Sequence, residues 1–379
     1  MDIQNQTLDI VWVDTDSALR KWCEYWSTLS FIAVDTEFVR RTTYYPVTGL
    51  IQVSEGQQAV LIDPQTISDW APLRELMVNQ DVMKVFHACS EDLDVFDRLV
   101  GVLPTPFYDT QIGEAFASAQ WSLSYVKLVK EYLDIDVAKD ETRSDWTLRP
   151  LTDAQKRYAA LDVIYLAELY PMQIERLTTK QMLDWVLEDC ESLKWQYQQN
   201  NDPEQNWDGV KAAWRLKPKS LTLLRRLFIW RDERARESDV PKGQILKDRT
   251  LWSLAKTLPD NARDVGQAED ITPKQVRLYA NTVIEHVALV NELSADEYQN
   301  ALPAPLPSDA GDLSKAMRSH LKALAQQLEV APEVVLKRKL LDPLMRHIYE
   351  GSPMDWSNPV FNGWRKEKVV APLLEKFAN

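Results

Sequence analysis

With 379 residues, the chain is too long for one ordinary hydrophobic core, and its length predicts two or three domains. Hydrophobic residues make up 45% of it, so we expect a folded chain and not a disordered one. The longest apolar runs are far shorter than the ~20 residues that span a bilayer, and Met1–Thr7 is too polar to open a signal peptide. These features argue against membrane partners and predict a cytoplasmic protein.

The composition leaves carboxylates as the plausible metal ligands. The 3 cysteines and 4 histidines are scattered, and such cysteines are typical of reduced core thiols. The formal charge of −13 is uneven: residues 1–200 carry a net −15 and residues 201–379 a net +2. This division fits an enzyme that holds a polyanion away from its catalytic carboxylates, but also an ordinary solvated acidic surface.

The first part of the chain mixes strand and helix patterns. Apolar runs bounded by turn residues predict strands at 31–34, 50–53, 59–62 and 82–86, with the second and third joined as a hairpin. Helical spacing occurs at 70–78 and 91–100, and from Thr110 to Gln198 the pattern is almost wholly helical. This order predicts an α/β or α+β domain with one mixed sheet.

The second part of the chain shows no convincing strand. A polar stretch at 198–206 is typical of a linker, and proline-rich 302–308 predicts an extended connection between two helical blocks. The blocks are faintly alike, since each contains a basic-flanked apolar helix with a Leu-Lys pair. We predict three domains, at 1–200, 207–297 and 309–379, of which the last two are all-α.

The first motif with chemistry is Asp35-Thr-Glu37, at the end of an apolar run. Alternate residues of a strand share a face, so the two carboxylates project side by side and repel each other unless a cation lies between them. Hard oxygen ligands of this kind suit Mg²⁺ or Mn²⁺. Taken alone, the pattern is more often a solvated turn or a helix-capping acid.

A second carboxylate, Asp92, follows the strand at 82–86. Ser90 is a plausible N-cap there, and Glu91, Asp92 and Asp94 occupy the first helical turn, where acids suit the helix dipole. Helix capping is a sufficient explanation for all three acids.

The third motif is Tyr158-Ala-Ala-Leu-Asp162, in an apolar helical run. Positions i and i+4 share a helix face, so the phenol and the carboxylate converge. Burying an aspartate is costly without a partner. The partner is either the tyrosine hydroxyl or a metal ion, and the spacing does not choose between them.

Together these motifs, in this order, resemble the DEDD exonucleases with tyrosine in the last motif. The flanking sequence is similar to the bacterial ribonuclease D family in Phe31-Ile-Ala-Val-Asp-Thr-Glu-Phe38, Leu50-Ile-Gln52, Lys84-Val-Phe-His-Ala88, Asp109-Thr110, Arg143-Ser-Asp-Trp146 and Arg149-Pro150. Residues 227–236 and 247–259 resemble the helical HRDC domain of that family, and the final block resembles its second such domain. The implied fold is an α/β ribonuclease-H-like exonuclease domain followed by two all-α HRDC-type domains.

The resemblance implies a 3′→5′ exoribonuclease that trims structured RNAs such as transfer RNA precursors and releases nucleoside 5′-monophosphates. It implies that Asp35, Glu37, Asp92 and Asp162 bind two divalent ions, Mg²⁺ or Mn²⁺, and that Tyr158 orients the attacking water. No organic cofactor is expected. Glu91 and Asp94 flank Asp92, which is chosen because it matches the family motif.

Further residues are candidates for binding RNA. Gln52, Arg143, Trp146 and Arg149 could meet the phosphate and the terminal base, although tryptophan is more often a core residue and Trp146 is suited to that role. His87 could touch the substrate or be a core histidine. Residues 207–236 carry a local net charge of +6 and are the best candidate for holding RNA outside the active site.

Two rival functions share these motifs. A DNA-directed proofreading exonuclease has the same carboxylates, but paired HRDC-like blocks and the lack of a polymerase-sized region disfavour it. A non-catalytic RNA-binding protein is disfavoured because all five catalytic positions are filled.

Overall fold

The structure is a computed structural model that describes residues 8–137 and 144–378. The chain divides into two compact units. The first consists of the described parts of Met1–Val39, Pro46–Trp195 and Pro307–Asn379, and the second of Arg40–Tyr45 and Gln196–Leu306.

One mixed sheet forms the centre of the first unit. Within the described residues its six strands are β1 (Ile10–Val13), β2 (Phe31–Val39), β3 (Val47–Ser54), β4 (Ala59–Ile62), β5 (Met83–Phe86) and β6 (Phe107–Asp109). They are ordered β1-β4-β3-β2-β5-β6; β3 is antiparallel to β2 and β4, and the other neighbours are parallel. The predicted mixed sheet is therefore confirmed, although the sequence patterns missed β1 and β6.

The central strand β2 is covered on both faces, because Ile32, Ala33 and Val34 are all buried. Its pairing with β3 sets Asp35 opposite Gln52 and Glu37 opposite Leu50, and the register then shifts between Glu37 and Phe38. Such an irregularity bends a strand locally. The two carboxylates thus lie just before the irregularity that interrupts the regular pairing of β2 with β3.

Helices surround this sheet. In chain order they are α1 (Asp16–Trp26), α2 (Ala71–Val78), α3 (Ser90–Val100), α4 (Thr110–Ala117), α5 (Tyr125–Leu133), α6 (Asp153–Thr179) and α7 (Leu183–Asn201). A capping box of Thr152 and Gln155 begins α6, and Gly101, with a φ of 73°, ends α3. Among the described residues, no helix is both long and apolar enough to cross a membrane.

The second unit is helical. It contains α8 (Pro203–Asn206), α9 (Pro218–Glu237), α10 (Lys242–Ile245), α11 (Asp248–Thr257), α12 (Ala262–Val265) and α13 (Pro273–Glu292). Leucines of α9 and α11 and valines of α13 form its core. The sequence pattern also predicts an all-α domain for this part of the chain.

The carboxyl-terminal helices belong to the first unit: α14 (Ala310–Leu328), α15 (Pro332–Val335), α16 (Arg338–Glu350), α17 (Gly363–Arg365) and α18 (Ala371–Phe377). Trp364 stacks on Trp185 of α7, with ring centroids 4.7 Å apart and planes at 7°. Arg365 pairs with both carboxylate oxygens of Asp189, which is also on α7. A desolvated two-point ion pair beside stacked indoles fixes this block on α7.

Candidate active site

Three carboxylates converge at the end of β2. Asp35 and Glu37 extend from one face of the strand, and α6 brings Asp162 to them. One oxygen of each carboxylate lies within 4.8 Å of the others. Oxygens at this spacing can share a divalent cation, which takes carboxylate ligands at roughly 2.0–2.6 Å.

Asp92 approaches the same place from α3 but does not belong to that three-carboxylate group. Its side chain is 7% exposed, and the Thr36 hydroxyl donates a hydrogen bond of 2.5 Å to its Oδ1 atom. Burial and the charge of Asp35 raise its pKa. Asp92 therefore interacts electrostatically with the three-carboxylate group, although its hydrogen bond is to Thr36.

The charge cluster is costly without a cation. Burial and the charge of Asp162 raise the pKa of Asp35 to about 8, and burial with the charges of Asp35, Asp162 and Asp92 raises that of Glu37 to about 10. Burial raises the pKa of Asp162 to about 7, against a hydrogen bond from Tyr158 that lowers it. Among the described residues no lysine or arginine pairs with these three carboxylates. The donor set therefore fits a bound metal ion.

The carboxylates open into a cavity of about 330 Å³, a volume suited to one nucleotide-sized group. Its described lining residues are Asp35, Thr36, Glu37, His87, Ser124, Tyr125, Val126, Val137, Tyr158, Asp162 and Leu166. Tyr158 packs on the buried Trp146, with ring centroids 6.1 Å apart. The phenol is thus supported from behind while its hydroxyl faces the acidic group.

His87 faces the cavity with a defined proton arrangement. Thr110 donates its hydroxyl proton to the Phe86 carbonyl at 3.0 Å, so it accepts from His87 Nδ1, which lies 2.9 Å away. Burial lowers the pKa of His87 and favours the neutral ring. Its Nε2 atom is then an acceptor, and it has no hydrogen-bond partner among the described residues.

The other candidate substrate-binding residues are not among the described residues that line the cavity. Gln52 is fully buried beside Asp35 on the sheet, and its side-chain amide has no described partner. Trp146 is 1% exposed and packs in the core. Arg149 is bound to both oxygens of Asp63 and to the Gly49 carbonyl. Arg143 lies outside the described residues.

Sequence reasoning did not single out two residues of this site. Tyr125 lines the cavity, and its hydroxyl donates to the carbonyls of Leu161 and Asp162 at 2.9 and 2.6 Å. Thr36 holds Asp92 from the opposite side of β2. Strand alternation places Thr36 on the other face from Asp35 and Glu37 and could have indicated it, whereas no local pattern indicates Tyr125.

Comparisons with known proteins agree with this geometry. A family model described as 3′-5′ exonuclease matches residues 10–176, and the HRDC domain model matches residues 220–287. The fold and the acidic cavity thus define a 3′→5′ exonuclease that is followed along the chain by a helical HRDC domain.

Relatives of known function narrow the class. Ribonuclease D of Pseudomonas paraeruginosa is 42% identical over 97% of this chain and 97% of its own, and that of Escherichia coli is 32% identical over 95% and 96%. The crystal structure of the Escherichia coli enzyme, an exoribonuclease involved in structured RNA processing, superposes with a TM-score of 0.89, at 30% identity, over 99% of this chain and 100% of that one. The chain belongs to the ribonuclease D family and is a hydrolytic 3′→5′ exoribonuclease.

Proposed function

We propose that this exoribonuclease trims the 3′ ends of structured RNAs such as transfer RNA precursors, one nucleoside 5′-monophosphate at a time, with two divalent ions. The observation that carries the proposal is the convergence of Asp35, Glu37 and Asp162 in one nucleotide-sized cavity that Tyr158 also lines. The Escherichia coli relative is described as processing structured RNA, and this description supports the choice of substrate.

Asp35, Glu37, Asp92 and Asp162 would hold the ions, Mg²⁺ or Mn²⁺. When bound, such ions supply a water of lowered pKa and neutralise charge on the leaving 3′-oxygen. The carboxylates keep those positions close together, and Thr36 steadies Asp92. No organic cofactor takes part in the proposed reaction.

Tyr158 acts on the water. Its hydroxyl donates to Asp162, which leaves the phenolic oxygen as an acceptor for a proton of the attacking water. A free phenol has a pKa of about 10, so the neutral side chain orients the water and does not act as a strong base.

His87 Nε2, an acceptor on the cavity wall, is suited to a hydrogen bond from a ribose hydroxyl.

A second RNA contact is proposed in the second unit. Of the cations in 207–236, four arginines are paired within the second unit: Arg225 with Glu204, Arg231 with Asp248, Arg234 with Glu237 and Arg236 with Asp232. Lys211, Arg215, Lys217 and Lys219 have no ion pair among the described residues, and the sequence from 209 to 231 contains no acid. We place the second RNA contact at this segment, 211–219.

The domain boundaries 1–200, 207–297 and 309–379 are part of the proposal, with the last domain as a second HRDC-type module. A cytoplasmic location is proposed too. Cys23, Cys89 and Cys190 are all free and buried, as suits a reducing compartment.

The test uses matched RNA and DNA strands labelled at the 5′ end, with Mg²⁺ or EDTA. A ladder that shortens from the RNA 3′ end with Mg²⁺, with nucleoside 5′-monophosphates as product, supports the proposal. Asp92→Asn should abolish it, whereas Glu91→Gln, an exposed neighbour, should not. Preferential loss of DNA would support a proofreading-type enzyme, and cleavage of neither strand would support a binding protein.

A further inference from the structure

A large aromatic side chain is exposed close to the active-site cavity. Trp121 lies in the loop between α4 and α5, and 42% of it is exposed. Ser124 and Tyr125, which follow in the same loop and at the start of α5, line the cavity. Three residues span at most about 11 Å between Cα atoms, so Trp121 lies near the cavity mouth.

The carboxyl-terminal block of the first unit reaches this loop. The Ala331 amide donates to the Ala115 carbonyl at 2.9 Å, at the end of α4. Lys180 joins the two parts as well, since its Nζ atom donates to the carbonyls of Phe116, Ala117 and Glu329. These contacts hold the chain beyond residue 329 against the end of α4.

This arrangement places a cation on the exposed indole. The Nζ atom of Lys337 is 5.7 Å from the centre of the Trp121 ring, and Lys339 is exposed two residues further on, in the first turn of α16. Trp121 remains 42% exposed beside this lysine, and an exposed indole next to a positive charge is suited to a stacked base with its phosphate. Lys337 therefore favours a nucleotide over an apolar protein partner, because a cation stabilises a phosphate oxygen and gives no such advantage to an apolar side chain.

We propose that Trp121 and Lys337 form an RNA-binding platform for a nucleotide upstream of the 3′ end. The inference rests on the proposed function, which places the terminal nucleotide in the cavity. Stacked nucleotides rise about 3.4 Å each, so the limit of about 11 Å corresponds to about three positions. A dinucleotide is too short to reach the platform, whereas a longer strand reaches it. The carboxyl-terminal block thereby contributes directly to substrate length preference.

The experiment compares the full-length protein and its variants on a dinucleotide, pApA, and on a ten-nucleotide oligoadenylate. Trp121→Ala should raise KM for the ten-mer about tenfold, the effect of losing one stacked base, with kcat unchanged and with less than a twofold change on pApA. Trp121→Phe, which keeps a stacking surface, should restore most of the affinity. Trp356→Ala is the matched control, because Trp356 is also 42% exposed but packs against His347 and Phe361.

Lys337→Gln tests the phosphate contact separately. It should reduce the slope of log KM against log salt for the ten-mer by about 0.7, the value for one phosphate on a single strand. An unchanged ten-mer KM in Trp121→Ala would overturn the platform, and so would an equal rise for both substrates, which would show that the loop only shapes the cavity. If the wild-type protein shortened neither RNA, the proposed function itself would fail.

Discussion

Replacing Asp35 by asparagine should stabilise the metal-free protein and should remove most of the stabilisation that Mg²⁺ gives to the wild type. The pKa of Asp35 is raised to about 8 by burial and by Asp162. At pH 7 the folded protein must therefore protonate this carboxyl or bury its charge. At about 1.4 kcal/mol per pKa unit between about 3.8 and pH 7, the cost is on the order of 4 kcal/mol. This is an upper bound, because Glu37 and Asp162 compete for the same protons.

In EDTA, Asp35→Asn should thus melt several degrees above the wild type, since for large domains each kcal/mol shifts Tm by about 2–4 °C. Mg²⁺ at 100 times its Kd should stabilise the wild type by about 2.7 kcal/mol and the variant hardly at all. Differential scanning calorimetry at pH 7 measures both effects. Glu91→Gln, on the exposed side of α3, should behave as the wild type. A variant that melts lower in EDTA, or gains as much from Mg²⁺, would refute the reasoning.

Three other outcomes follow from the same contacts. Tyr158→Phe should lower kcat about 100-fold or more while Mg²⁺ still raises Tm; turnover near wild type would show that the hydroxyl does not orient the water. In EDTA, Tm should fall as pH rises from about 5 to 8, because the raised pKa values of Asp35 and Asp162 make the folded protein bind more protons than the unfolded chain, and that stability is lost as the pH passes them; a Tm that rises over this range contradicts the assignment. Replacing Lys211, Arg215, Lys217 and Lys219 by glutamine should reduce the salt slope for RNA binding by about 3, with pApA turnover as the control; an unchanged slope excludes this segment.

Much of the sheet could be predicted because its strands carry local signals. β2 to β5 are apolar runs bounded by turn residues, and the predicted ranges lie within or within one residue of the observed ones. β1 and β6 were missed for a different reason. They are short, with four and three residues, and each pairs in parallel with a strand distant in sequence, so their formation depends on tertiary contacts.

The candidate site was predictable in its residue types but not in its arrangement. Alternation along β2 explains why Asp35 and Glu37 lie together, and i,i+4 spacing explains Tyr158 and Asp162. Nothing local indicates that Thr36 holds Asp92, or that Tyr125 binds the backbone of Asp162. These contacts join residues more than 30 positions apart and arise only when the helices pack on the sheet.

The roles of arginine and tryptophan residues were harder still to predict, because either residue type can pack in a core or bind a ligand. Arg149 is bound to Asp63 and to backbone carbonyls, and Trp146 packs so closely that a Cβ atom on Gly49 would lie 2.6 Å from its own. Arg149 and Trp146 therefore stabilise the segment that precedes α6, the helix that carries Tyr158. Their proposed contact with RNA stays a prediction.

The central claim is that Asp35, Glu37, Asp92 and Asp162 hold the ions of a ribonuclease centre. Anomalous diffraction from crystals grown with Mn²⁺ and adenosine 5′-monophosphate tests it most directly. The account predicts two Mn²⁺ peaks within about 2.3 Å of these carboxylate oxygens, roughly 3.5–4 Å apart, with the nucleotide phosphate beside them. Mn²⁺ peaks only elsewhere on the protein, with the nucleotide bound outside this cavity, would contradict it.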